Sequence, residues 1–232
     1  MTVYVALLRA VNVGGTGTLP MARLAALCRE LGFGNVRTYI QSGNAVFSSP
    51  TGEDAVRSAL EAALTAEMGR PADVVVRTAA ELGRVASANP FPEADGAKVA
   101  VVMGHATVNG SAIEGVVAPG GEEVVAGPRE LYVHYPDGMG RSKFRLPGGL
   151  GPVTARNMNT VRKLVELADR GDLPGGLGKA AERALAAAGI TSLDQLAGLA
   201  TSELEAVHGI GPKAIGLLRA ALEERGLTFA PG

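Results

Sequence analysis

A chain of 232 residues, 47% hydrophobic and 19% charged, has the apolar content to bury one large core or two modest ones, which excludes wholesale disorder. The net charge of −1 excludes a polybasic arm: over 173–232, five Lys/Arg stand against six Asp/Glu, so any nucleic-acid contact must come from local geometry rather than a bulk positive field. The single cysteine, Cys28, excludes an internal disulfide and suits a reducing compartment, and no run approaches the ~20 apolar residues of a membrane span, so the expected location is cytoplasmic.

Residues 3–11 are a short apolar, β-branched run without a turn residue, which predicts a buried strand. The turn cluster Asn12-Val13-Gly14-Gly15-Thr16-Gly17 follows. A helix is then expected over 20–31, with Met21, Leu24, Leu27, Cys28 and Leu31 on one face, Pro20 at its start and Gly32 just past its end. Strands over 36–40 and 45–47 flank the turn-rich Gln41-Ser42-Gly43-Asn44. An amphipathic helix over 53–68 and a strand over 73–77 complete the order β-α-β-β-α-β, a ferredoxin-like unit. A second α/β unit is predicted from helices over 78–87 and 111–117, strands over 98–103, 122–126 and 130–135, and a closing helix over 156–170 capped by Thr154. The expected class is therefore α+β: a ferredoxin-like subdomain over 1–78, a second α+β subdomain over 79–170, a linker over 171–176 and a small all-α domain over 177–230.

In that last domain the predicted helices run over 178–188, 193–199, 203–207 and 212–225. Ser192 with Gln195, and Ser202 with Glu205, have capping-box spacing. Between the final two helices lies Gly209-Ile210-Gly211-Pro212-Lys213-Ala214. Two glycines one residue apart allow a tight turn, and Pro212 opens the next helix, whose first N–H groups point outward where a phosphate oxygen can accept from them. Lys213 adds a charge there, while Ile210 and Ala214 face inward. The same turn also fits a compact connector or a protein-docking surface. These residues, with Ala188-Gly189-Ile190-Thr191-Ser192-Leu193 and Leu222-Glu223-Glu224-Arg225-Gly226-Leu227, resemble a helix-hairpin-helix domain, most like the C-terminal domain of the bacterial RNA polymerase alpha subunit. The resemblance implies DNA-backbone contact at Gly211, Lys213 and Ala214. The family's principal DNA-contacting arginine falls at about Ala180, which implies binding without sequence preference.

In the larger part, the predicted topology gathers Arg9, Asn12, Gly14, Gly15, Gln41, Ser42 and Asn44 at one sheet edge. Glycines beside a helix start, with an arginine and amides, suit a phosphate-like anion; ordinary turn chemistry explains the same residues. Arg156, Asn157 and Asn159, in the first turn of the predicted closing helix, and Lys143 upstream either face the same ligand or cap the helix. The single-site version expects Arg9, Asn44 and Arg156 to line one cleft. The segments Leu7-Leu8-Arg9-Ala10-Val11-Asn12-Val13-Gly14-Gly15, Arg37-Thr38-Tyr39-Ile40-Gln41-Ser42-Gly43-Asn44 and Thr154-Ala155-Arg156-Asn157-Met158-Asn159 resemble the bacterial family known as domain of unknown function 1697. That resemblance implies a pair of ferredoxin-like units and no known activity, and Met158 stands where relatives usually carry tryptophan.

No catalytic set is recognisable. Cys28 reads as a core thiol, His105, His134 and His208 lack metal-ligand spacing, and Glu30, Glu53 and Asp54 read as solvated helix positions, so no cofactor or metal is expected. The expected partners are duplex DNA, bound without sequence preference, a protein docked on the tail, or an anionic small molecule.

Overall fold

Side chains on both faces of β1 (Thr2–Leu8) are buried, Val5 and Leu7 on one side and Tyr4, Ala6 and Leu8 on the other. A strand covered on both faces reads as an unbroken apolar run, which is why this one was legible. β1 pairs antiparallel with β3 (Asn44–Ser49) and β4 (Val74–Thr78), and β2 (Gly34–Thr38) pairs outside β3. With α1 (Met21–Glu30) and α2 (Glu53–Met68) as crossovers, the sheet order β2-β3-β1-β4 is the expected ferredoxin-like arrangement. The computed structural model describes residues 1–12, 18–105, 107, 113–147 and 150–231, which divide into two units, Met1–Ala168 and Asp169–Gly232.

The second sheet, β5 (Val99–Gly104), β6 (Glu123–Ala126), β7 (Glu130–His134) and β8 (Val153–Asn157), has the order β6-β7-β5-β8, the same permutation as the first. α3 (Ala79–Ser87), before it in the chain, and α4 (Met158–Asp169), after it, contribute to its packing. One apolar layer joins Val5, Leu7 and Val75 of the first sheet, Leu82 and Val85 of α3, Val161 and Leu164 of α4, and Val101, Met103 and Tyr132 of the second sheet. The opposite face of the first sheet buries Leu24, Leu27 and Cys28 of α1 and Val56, Leu60 and Leu64 of α2. Burial pushes the Cys28 thiol up to about 12, so it is not a thiolate at neutral pH.

Two expectations change here. The closing helix begins at Met158, not at residue 156: Thr154, Arg156 and Asn157 belong to β8, which pairs with β5, and Asn157 Oδ1 caps the helix by accepting from Thr160 N–H at 2.8 Å. A strand this polar carries no apolar alternation, and only its ladder reveals it. Of the helix expected over 111–117, Ser111 and Ala112 lie outside the described residues, and no α-helix forms over 113–117. Gly115 interrupts it at φ +82° and Val117 bridges Arg145 instead. Met158 is fully buried in the shared layer, so that position serves packing.

The second unit holds α5 (Lys179–Ala187), α6 (Leu193–Ala197), α7 (Thr201–Glu205) and α8 (Pro212–Glu223) around Ala181, Leu185, Leu196, Leu204, Leu218 and Leu222. The Ser192–Gln195 capping box forms as expected. The Ser202–Glu205 box does not, because the chain turns helical earlier, at Thr201, where Glu203 accepts from Ala200 N–H at 2.7 Å. Leu173, only 7% exposed, and Leu177 belong to this core.

Candidate nucleic-acid interface

The turn between α7 and α8 closes on Ile210 N–H donating to the Val207 carbonyl at 3.1 Å. Gly209 takes φ +100° and lies against α5, where a Cβ would meet the Ala180 carbonyl at 3.2 Å and Ala184 Cβ at 3.5 Å; both the left-handed backbone and the close approach favour glycine. Ile210 and Ala214 are buried and lock the corner, while Gly211, Pro212 and Lys213 are exposed. Gly211 is extended, at φ −101°, and delivers Pro212 to the first helical position; no side chain caps α8. The helix start therefore presents first-turn N–H groups without intrahelical partners, at the positive end of the helix dipole.

On α5, residues 180 and 184 lie beneath Gly209, and Ala181 and Leu185 face the core. One residue before each of the former stand Lys179 and Arg183, both exposed. Lys179 and Arg183 on α5, the helix that Gly209 lies against, and Lys213 on α8 are three of the five basic residues of 173–232, and all three are exposed. The other two are engaged elsewhere: Arg225 donates to Asp172 at 2.5 Å, and Arg219 lies 5.5 Å over the Phe229 ring. The i, i+4 spacing of Lys179 and Arg183 puts both on one face of α5, a signal already available in the sequence.

Of the residues expected at the sheet edge, Asn12, Gln41, Ser42 and Asn44 take part in a bonded corner. Arg156, 8% exposed, donates through Nε to Asn44 Oδ1 at 2.5 Å. It donates through Nη2 to the carbonyls of Leu8, Ser42 and Gly43 at 2.8, 2.9 and 3.2 Å, and through Nη1 to Thr154 Oγ1 at 2.8 Å. Burial pulls its pKa down to about 10, and the carbonyl dipoles hold the charge. Asn44 also donates to the Tyr39 carbonyl and Ser42 Oγ. Asn12 bonds Leu19 twice and the Gln41 carbonyl once. Arg9 turns instead to Asp73 at 2.9 Å, Asn157 caps α4, and Lys143 is exposed between β7 and β8. Gly14 and Gly15 lie outside the described residues.

A family described as protein of unknown function, DUF1697, matches residues 1–132, more than half the chain. The chain belongs to the DUF1697 family. A tandem helix-hairpin-helix family of SAM-like type matches 175–224, which contains both turns of the tail. Among solved structures, a conserved bacterial protein of Streptococcus pneumoniae is similar in fold, at 19% identity and a TM-score of 0.58 over 72% of this chain and 98% of that one. No curated protein matches.

The DUF1697 unit also holds an ion cluster that sequence reasoning missed. Glu53, read above as solvated, receives Arg129 Nη2 at 2.7 Å, and Arg129 Nη1 reaches Glu81 at 2.9 Å. Arg77 is fully buried beside them, donating to the carbonyls of Val76, Gly104 and Arg129. Glu130, 3% exposed, accepts from Tyr132 Oη and Arg129 N–H. Nearby, desolvation and then Arg57 and Arg77, against Glu61 and Asp73, hold His105 below its usual pKa. The unfolded chain therefore takes up a proton here that the fold resists, so this contribution to stability is present above ~pH 6.5 and is lost as pH falls through it. His105→Gln is expected to reduce the loss of stability between about pH 7 and 5, read by urea titration at both values. An unchanged slope would remove His105 from the account.

Proposed function

We propose that this DUF1697 protein binds nucleic-acid backbone through the α7–α8 hairpin, without reading base sequence, and that the tail tethers the α+β unit to DNA in a bacterial cytoplasm. The observation that carries this is the uncapped start of α8, with Lys213 on it and with exposed Lys179 and Arg183 on α5, the helix that Gly209 lies against. Gly211, Lys213 and Ala214 offer main-chain N–H groups to a phosphate oxygen, while Gly209 and Ile210 hold the turn that aims them. The match to a helix-hairpin-helix tandem is compatible with this chemistry. One hairpin with few basic residues supports affinity in the non-specific range, ~10⁻⁴–10⁻⁶ M, falling with salt.

A small-anion site at the Arg156 corner finds less support, because the guanidinium it needs is surrounded by main-chain acceptors. Titrating a labelled random duplex with the full chain at low salt tests the proposal. Lys213→Ala is expected to weaken binding several-fold and to reduce the slope of log K against log salt by about 0.9. No binding by the unsubstituted chain, or identical binding by the variant, would overturn it and favour a tail that docks on protein.

A further inference from the structure

Resting on that reading, we infer that only one of the tail's two hairpins grips a phosphodiester strand: the first is plugged by the chain's own side chains, so the module holds a single strand rather than bridging two. The two turns have the same design. Gly189-Ile190 and Gly209-Ile210 each pair a left-handed glycine, at φ +70° and +100°, with a buried isoleucine, and each leads into a helix. They differ in what meets their N–H groups.

In the first turn, Gln195 Oε1 accepts from Thr191 N–H at 2.8 Å and from Ser192 N–H at 3.0 Å. Asp172 Oδ1 accepts from Leu193 N–H at 2.6 Å, and Ser192 Oγ accepts from Gln195 N–H at 3.2 Å. An amide oxygen and a carboxylate thus sit where a phosphate oxygen would approach. Asp172 is held there by Arg225 at 2.5 Å, and Gly171 packs directly on the Thr191 carbonyl. Asp194, exposed in the first turn of α6, adds a negative charge facing any incoming phosphate. The second turn has the reverse character: no side-chain cap, no acidic residue in the first turn of α8, and a lysine. A phosphate at the first hairpin would have to displace two internal acceptors and sit beside an acid; at the second it meets open donors and a cation.

The kind of partner follows. A module with one open seat needs one run of backbone, which a single strand supplies as well as a duplex does. A matched pair of variants of the full chain tests this, each placing glutamate directly after the buried isoleucine. Gly211 accepts the substitution, since its φ is negative and an added Cβ meets no atom within 4 Å; Thr191 is exposed. By anisotropy at low salt, Gly211→Glu is expected to weaken duplex binding about tenfold or more, whereas Thr191→Glu changes it by less than about twofold. A single-stranded oligonucleotide of the same length is expected to bind within about threefold of the duplex. Equal losses from both variants, or a duplex bound far more tightly than either of its strands, would overturn the one-seat inference while leaving backbone binding intact. No binding by the unsubstituted chain would remove both.

Discussion

Replacing Arg156 with methionine is expected to lower the stability of the Met1–Ala168 unit by about 4 kcal/mol, among the largest effects of any single substitution in it. The side chain is buried, and it bonds the carbonyls of Leu8, Ser42 and Gly43, the Asn44 amide oxygen and the Thr154 hydroxyl. Methionine fills similar volume but donates nothing, so these acceptors are left without their shared donor. An unsatisfied buried group costs about 1–3 kcal/mol, and water entering the corner recovers part of the sum. Arg156→Lys is expected to recover little, because an ammonium has three donors on a flexible stem where the guanidinium has five in a planar fork. Urea unfolding of the full chain, followed through the transition of this unit, measures both variants. A loss below about 1 kcal/mol for the methionine variant would show that solvent replaces the arginine and that the corner is not a structural clamp.

Gly171→Ala is expected to destabilise the Asp169–Gly232 unit by about 3 kcal/mol or more while leaving the other unit's transition in place. Two effects add. The residue has φ +57°, a left-handed backbone that alanine adopts at a cost of ~1 kcal/mol. An added Cβ would also stand 1.7 Å from the Thr191 carbonyl oxygen, so the segment must lift off the first hairpin. Lifting it removes Asp172 from Leu193 N–H and from Arg225, and loosens the buried Leu173. A unit of this size has roughly 3–10 kcal/mol to lose, so much of its margin is at stake. Two resolved transitions in heat or urea unfolding, with only one shifted, is the expected record. Coincident transitions that shift together would show instead that the substitution is felt across the chain.

The outcome at the candidate sites divides along the distance between interacting residues. Gly209-Ile210-Gly211-Pro212-Lys213 was readable because every part of its geometry is local: a glycine at a turn, a proline at the first helical position and buried residues at helical spacing. Arg156 was placed in a helix because Asn44, Leu8, Ser42 and Gly43, which fix it, lie 112 to 148 residues away, and no window of sequence contains them. Glu53 was read as solvated for the same reason, Arg129 being 76 residues distant. At the first turn the Ser192–Gln195 capping box was legible because its partners are three residues apart, whereas Asp172, 21 residues before Leu193, was not.

By itself the sequence determined the α+β class, the first β-α-β-β-α-β order, the bounds of α2 and the conformation of the tail's second turn. Each follows from periodicity or backbone preference within a few residues, where the energetic terms act between chain neighbours. Only the tertiary structure decided that Thr154–Asn157 is strand, that Arg156 clamps main-chain carbonyls, and that Asp172 accepts from Leu193 N–H at the tail's first turn. A buried donor must find an acceptor wherever the fold supplies one, and that choice is made in space between residues far apart in sequence.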